Sequence, residues 1–137
     1  MLISPDKYIR KAYIEALANA GVPVYAKKVP IDKAIPQKYI LLSTQTKQRT
    51  AVSKNGWEWN TQITIDMVFI GEKGISQTDK IDDLEGIVIE VIENGISVDG
   101  FAVKSTVLIN SQPLDTETPK ESIERRILIY EHWVCQV

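Results

Sequence analysis

The stretch "NGWEWNTQITIDMVFIGEKG", residues 55–74, begins with a turn dipeptide, alternates between apolar and polar residues, and ends at glycines. Asn-Gly is the pair that favours a tight turn between two antiparallel strands. One parity of the strand carries Trp57, Trp59, Thr61, Ile63, Ile65, Met67 and Phe69; the other carries Glu58, Asn60, Gln62, Thr64 and Asp66. This alternation predicts a strand packed on one side only, until Val68 and Ile70 bury both faces at its end.

The neighbouring segments predict two helices and four further strands. Ser4-Pro5-Asp6 has the residues of a helix start with a hydroxyl cap, and helical spacing extends the segment over 5–20. A second helix with one apolar stripe is predicted over 78–93. Strands are predicted at 22–25, 38–49, 101–111 and 122–136, with loops at 27–38 and at "PLDTETPKE", 113–121. The predicted fold is α+β: a mostly antiparallel sheet with a long β-hairpin and two helices packed on one face.

Length and composition indicate one ordinary globular domain over residues 1–137, with 44% hydrophobic and 25% charged residues. No apolar run approaches the roughly 18 residues that cross a membrane. The opening residues "MLISPDKYIRK" do not have the pattern of a secretion signal. Cys135 is the single cysteine, so no internal disulfide can form, and a reducing, cytoplasmic setting is expected.

The net charge of −2 conceals two oppositely charged halves. Residues 1–54 hold ten Lys/Arg and three Asp/Glu, whereas residues 55–137 hold six Lys/Arg and fifteen Asp/Glu. This distribution disfavours binding of nucleic acid by the whole surface. The halves neutralise each other within a monomer, or the basic face of one copy meets the acidic face of the next in a head-to-tail oligomer.

The residue inventory does not predict an enzyme. His132 is the only histidine, and strand alternation places it beside Tyr130 and Val134 as a structural imidazole. Cys135 lies on the opposite parity, so the two side chains should point to opposite faces of the sheet and form no nucleophile pair. Cys135 is expected to be a small buried apolar side chain.

No metal, cofactor or phosphate site is predicted either. The seven glycines are dispersed and form no nucleotide-binding fingerprint. Asp79, Asp82 and Asp83 have helical spacing and lack the glycine and closing glutamate of a calcium loop. Three basic residues near the hairpin tip could meet phosphates, or could belong to a solvated arm: Lys47, Arg49 and Lys54.

The order of segments resembles the tail terminator, or tail-completion, proteins of long-tailed bacteriophages and prophages. The resemblance runs from "YIRKAYIEALANAG" through "VPVY" and "IPQKYILLS" to the hairpin segment "WNTQITIDMVFIGEKG". It continues through the acidic helix "DKIDDLEGIVIEVIE" to the closing strand "RRILIYEHWVCQV". The loop "NSQPLDTETPKES", 110–122, is longer and more polar than the family pattern.

The resemblance implies a non-enzymatic virion protein, present in the host bacterial cytoplasm during assembly. Such proteins form a ring, usually a hexamer, that caps the tail tube and joins the head, while DNA passes through without sequence-specific binding. An acidic lining would repel the phosphates of the DNA. Six acids of the second helix are candidates for that lining or for pairing with a neighbouring subunit: Asp79, Asp82, Asp83, Glu85, Glu90 and Glu93.

The hairpin tip is expected to extend past the helices that cover the sheet, which would leave apolar rings there without cover in one chain. Trp57 and Trp59, with the basic residues Lys47, Arg49 and Lys54, are therefore predicted to contact an adjacent subunit or the tail-tube protein. Two alternatives remain open: a head-completion or connector protein of the same viral neck, and a ferredoxin-like ligand-binding or regulatory module with a closed pocket.

Overall fold

The computed structural model describes residues 2–30, 34–50 and 57–137. It contains α1 (Asp6–Ala16), β1 (Val24–Ala26), β2 (Lys38–Arg49), β3 (Glu58–Glu72), α2 (Thr78–Glu93), β4 (Phe101–Pro113), β5 (Thr116–Glu117) and β6 (Glu121–Gln136). Both helices lie on one face of a six-stranded sheet, which confirms the predicted α+β class. We call the face under the helices the inner face and the opposite one the outer face.

The strand order of the sheet is β1-β2-β3-β6-β4, and β5 pairs with the beginning of β6. All pairings are antiparallel except that of β1 with β2, which is parallel. The strand β6 therefore lies in the interior of the sheet, between β3 and β4. This position explains why "RRILIYEHWVCQV" has apolar residues on both parities.

The long hairpin formed by β2 and β3 is confirmed, with pairing from Lys38 opposite Phe69 to Arg49 opposite Trp59. The register shifts between Leu42 and Thr44. This β-bulge adds one residue to β2, so the strand's second half shows the opposite parity to its first half. The predicted Asn55-Gly56 turn lies outside the described residues.

The core lies between the inner face and the two helices. In β3 the predicted apolar parity is confirmed, since Ile63, Ile65 and Met67 are at most 1% exposed. Other strands and both helices complete this core with Ile40, Leu42, Leu128, Val134, Ile9, Tyr13, Leu84 and Val88. Burial of so many aliphatic and aromatic side chains is the main contribution to stability.

Three local predictions need correction. The first helix ends at Ala16, and no side chain caps its start at Pro5, so the Ser4 cap is not formed. Leu17 and Ala20 are nevertheless buried, in the turns that follow the helix. Part of the predicted loop over 113–121 is strand, because β4 extends to Pro113, β5 pairs with β6, and β6 begins at Glu121.

Candidate functional site

The tryptophan end of the sheet is formed by Trp57, Trp59, Lys47 and Arg49. The bulge in β2 turns Lys47 and Arg49 to the inner face, which Trp57 and Trp59 share through the alternation of β3. Lys47 Nζ lies 5.8 Å from the centre of the Trp59 ring, and Arg49 Cζ lies 4.4 Å from the centre of the Trp57 ring. Each indole therefore carries one cation on its face, an attractive arrangement for the ring quadrupole.

The start of α1 closes one side of the tryptophan end. Lys47 Nζ forms a 2.7 Å ion pair with Asp6 Oδ2, and Gln45 Nε2 donates a 2.9 Å hydrogen bond to the Asp6 carbonyl. Arg10 also donates to Gln45 Oε1 at 2.8 Å. The hairpin and the first helix are thus joined by polar contacts where the hydrophobic core ends.

Both indoles of the tryptophan end are half-buried, and Trp59 packs against the core. Within the described part of the chain, Trp59 Nε1 is enclosed and has no hydrogen-bond partner, and the same holds for Asp6 Oδ1. Enclosed polar atoms without partners are unfavourable. These two atoms are therefore left unsatisfied by the residues that the structure describes.

The structure brings together four of the five residues predicted for the subunit or tail-tube interface. The fifth, Lys54, lies outside the described residues. A third tryptophan, Trp133, was not singled out by the sequence patterns. It is 42% exposed on the outer face, where its Nε1 donates a 3.2 Å hydrogen bond to Glu58 Oε2. Its parity, opposite to that of His132, is the signal that would have placed it there.

The acidic residues of α2 divide into two groups. Asp82 and Glu85 face Arg126 of β6, whose guanidinium lies 2.8 Å from Asp82 Oδ1 and 2.6 Å from Glu85 Oε2. These hydrogen-bonded carboxylates raise the pKa of Arg126. Ser111 Oγ of β4 also donates to Glu85 at 3.0 Å. Arg126 was not predicted, because its partners lie about 40 residues earlier in the chain.

The other four acids of α2 are exposed and form no ion pair with any residue in the described ranges. They are Asp79, Asp83, Glu90 and Glu93. Their spacing places them on one stripe of the helix, opposite the buried stripe that contains Ile81 and Val88. The stripe therefore points away from the sheet.

A residue of β6, Glu124, caps the start of α2. Within the predicted segment Ser76-Gln77-Thr78-Asp79, Ser76 Oγ accepts a 3.3 Å hydrogen bond from the Thr78 N–H, but the side chain of the N-cap residue Gln77 makes no capping hydrogen bond. Instead, the Gln77 backbone N–H donates to Glu124 Oε1 at 2.7 Å, and the Thr78 hydroxyl donates to Glu124 Oε2 at 3.3 Å. A carboxylate near the positive end of the helix dipole stabilises it.

His132 lies on the inner face beside Tyr130 and Val134, as predicted, and is 0% exposed. Its Nε2 lies 2.5 Å from the Tyr13 hydroxyl, and its Nδ1 lies 3.1 Å from the Thr106 hydroxyl. Burial lowers the pKa of His132 to about 4, so the ring is neutral at neutral pH. Without access to solvent, this imidazole is placed to hold α1 against the sheet.

Cys135 lies on the other face of β6 from His132, which confirms that the two cannot form a nucleophile pair. The expected burial of Cys135 is wrong, because the thiol is half-buried. None of the described helices covers the outer face, which explains the difference. Among residues 2–30, 34–50 and 57–137, no three His, Cys, Asp or Glu side chains come together in a way that could hold a metal ion.

The surface hollows are open to solvent. One of about 500 Å³ runs along the start of the chain, from Leu2 to Arg10. Another, of about 300 Å³, lies on the outer face and is lined by Tyr39, Val68, Ile123 and Arg125. No helix in the described ranges has the length and apolarity needed to span a membrane.

Comparisons with known proteins give a likeness in structure alone. No protein-family model matches the sequence, and a search of curated proteins finds no significant match. Among solved structures, the chain is similar to one from the virion of a native gene transfer agent (GTA) particle, with a TM-score of 0.72 and 11% identity over 98% of this chain and 99% of that chain. At this identity, the likeness shows a shared fold.

A second solved structure has 16% identity over 93% of this chain and 94% of that chain, with a TM-score of 0.45.

Proposed function

We propose that the protein is a non-enzymatic structural component of a phage-type particle. In this proposal it forms a ring that ends the tail tube and joins the tube to the head. The single observation that carries the proposal is the fold shared over nearly the full length of both chains with a chain from a gene transfer agent virion. A protein with this function would be located in the virion, and in the bacterial cytoplasm during assembly.

The tryptophan end is the proposed contact with a neighbouring subunit or with the tail-tube protein. Its two indoles are half-buried, their faces carry Lys47 and Arg49, and Trp59 Nε1 is without a partner in the described chain. An aromatic cluster with cations at its edge is the composition that interface centres favour. A partner that supplies an acceptor to Trp59 would satisfy the enclosed N–H.

The stripe of Asp79, Asp83, Glu90 and Glu93 is the proposed lining of the ring. It faces away from the sheet and is not neutralised by any described residue. Like charge would keep duplex DNA from adhering while it passes. Exchange of all four residues for their amides would then increase retention of DNA in the ring at low salt, and the increase would disappear as salt is added.

Size-exclusion chromatography with light scattering, followed by negative-stain electron microscopy, tests the proposed ring. The expected result is a closed ring of about six copies with a central hole, alone or on tail tubes of the cognate particle. A protein that stays monomeric in both conditions contradicts the proposal. A ring that binds emptied heads and leaves tail tubes unbound would instead indicate a head-completion or connector protein.

Trp59→Ala tests the role of the tryptophan end, with Trp133→Ala on the outer face as its matched control. We expect Trp59→Ala to reduce assembly well beyond its loss of folding stability, because it removes an interface anchor. Trp133→Ala should assemble like the parent. Equal assembly by the two variants, each corrected for the fraction folded, would assign Trp59 to the core alone.

A further inference from the structure

We infer that neighbouring copies join through the edges of their sheets, with the second half of β2 in one copy pairing with β4 of the next. The inference rests on the proposed ring and specifies the surface that one copy offers to another. Four features carry it: an open edge on β2, an open edge on β4, the relative direction of these strands, and the charges beside them.

The first open edge is on β2. The three residues of β1 pair with Ile40, Leu41 and Leu42, whereas β2 continues to Arg49. Lys27 then adopts a left-handed conformation, with φ of 69°, and turns the chain away from the sheet. Among the residues that the structure describes, none pairs with the outer edge of 44–49.

The backbone groups at this edge can be assigned. The Thr50 N–H donates to the Glu58 carbonyl at 3.2 Å, so Thr50 points toward β3. Because successive residues of an antiparallel strand point alternately to either side, Gln45, Lys47 and Arg49 direct their N–H and C=O groups outward. Unpaired groups of this kind form a template for another strand.

The second open edge is on β4, at the opposite side of the sheet. This strand pairs only with β6 among the described parts of the chain. Val107 and Ile109 are 46% and 48% exposed beside the edge. The Leu114 N–H donates to the Arg125 carbonyl, which leaves Ser111 with its backbone groups outward. Bulges interrupt β4 near Lys104 and Ile109, so the regular pairing surfaces are short.

The direction of the strands suits this contact. Each of the pairs β2–β3, β3–β6 and β6–β4 is antiparallel, so β2 and β4 run in opposite directions. In a head-to-tail ring, corresponding strands of neighbouring copies run in the same direction. The β4 strand of one copy therefore lies antiparallel to β2 of the next. Antiparallel pairing is the more stable arrangement per residue.

Charges on the inner face support the same contact. Lys47 and Arg49 lie on that face at the β2 edge. The flank of α2 with Asp82 and Glu85 lies above β6, where both contact Arg126, and Glu85 reaches β4 through the hydrogen bond from Ser111. Edge pairing keeps the inner faces continuous. In a register that sets Lys47 of one copy opposite Ser111 of the next, the cations of one copy approach the carboxylates of the other. The Asp82 side chain is 54% exposed and can accept a second partner.

Lys47→Pro tests the β2 edge, and Lys47→Ala is its matched control. Both variants remove the side-chain contacts to Asp6 and Trp59, but only proline removes the outward N–H. We expect Lys47→Pro to raise the concentration for half-assembly at least about tenfold above that of Lys47→Ala, as measured by light scattering. Ser111→Pro and Ser111→Ala form the corresponding pair on β4, with the same expected difference.

The outcomes separate this inference from the proposed function. Rings of parental stability from both proline variants would overturn edge pairing and leave the ring in place. A parent protein that remains monomeric with and without tail tubes would overturn both proposals. Circular dichroism checks that the variants fold.

Amide hydrogen exchange in the parent protein gives an independent result should a proline variant unfold. We expect the amides of Gln45, Lys47 and Arg49 to become protected on assembly. Exchange at the same rate in the ring as in the monomer would contradict edge pairing.

Discussion

The inner face of the sheet holds His132 beneath α1, whereas the outer face holds the ion pair of Asp66 and Arg125, with neither of the described helices above it. His132 is 0% exposed and contacts the hydroxyls of Tyr13 and Thr106. Asp66 is also buried, at 4% exposure, and both of its oxygens accept hydrogen bonds from Arg125. The Arg125 side chain keeps 32% of its surface in solvent.

This difference shows how each face tolerates a polar group. Beneath the helices a charge would be strongly desolvated, and the lowered pKa of His132 keeps that ring neutral. On the outer face, Arg125 stays in contact with water, and its two hydrogen bonds satisfy both oxygens of the buried Asp66 carboxylate. Beside this ion pair on the outer face, partial burial, followed by the charge of Asp66, raises the pKa of Tyr39.

The largest expected effect comes from truncating the inner face. Ile65→Ala, at a site with 0% exposure, should lower the free energy of unfolding by about 3 to 4 kcal/mol because it opens a cavity in the core. Thr64→Ala, the adjacent residue of β3 on the outer face, should cost less than about 1 kcal/mol. Urea denaturation measures both. Equal losses would mean that the two faces are packed alike.

Acidification tests the neutral imidazole of the inner face. The folded-state pKa of about 4 lies below the ordinary value of 6.5, so the unfolded chain binds the proton first as pH falls. The stability is complete above pH 6.5 and should decline by about 3 kcal/mol as the pH falls to about 4.

Urea denaturation of the parent and of His132→Gln across this range isolates the contribution of the ring. The variant should lose less stability than the parent on acidification. An equal loss of stability in the parent and the variant would show that His132 is not the cause of the pH dependence.

Removal of the guanidinium tests the outer face. Arg125→Met should destabilise the protein by about 2 kcal/mol, because it leaves the Asp66 carboxylate enclosed without its partner. The double variant Arg125→Met/Asp66→Asn should recover part of the loss, since it removes the unpaired charge as well. A double variant less stable than the single one would mean that the pair stabilises this face outright.

The smallest effect is expected for Trp133 on the outer face. Trp133→Phe keeps a ring on the strand and removes the exposed hydrogen bond to Glu58. We expect a change below about 0.5 kcal/mol in the free energy of unfolding. A larger loss would show that the outer face near Trp133 is packed more tightly than its exposure indicates.

The patterns that follow from local periodicity were predictable from the sequence. The apolar parity of β3 and the buried stripe of α2 depend only on which residues alternate or recur, and both are confirmed. The position of His132 followed from the same rule applied to β6. Alternation along β3 is also sufficient to group Trp57 and Trp59 with the residues of the inner face.

Features that depend on distant contacts were not predictable. The Glu124 cap of α2 joins residues 47 apart, and the Arg126–Glu85 ion pair joins residues 41 apart, so no local spacing signals them. The bulge near Ser43 changes the parity of β2, and it decides that Lys47 and Arg49 meet the tryptophans. The parallel pairing of β1 with β2 likewise depends on the course of the loop between them.

The interior position of β6 has a consequence for folding kinetics. This strand follows both β3 and β4 in the chain, yet each of them pairs with it and not with the other. Until β6 is available, β4 has no described neighbour, and α2 lacks the carboxylate that caps it. The connection from β4 to β6 is short, whereas β3 is separated from β6 by α2 and β4. Loop closure over the longer separation is slow, so the rate-limiting step should be the pairing of β6 with β3.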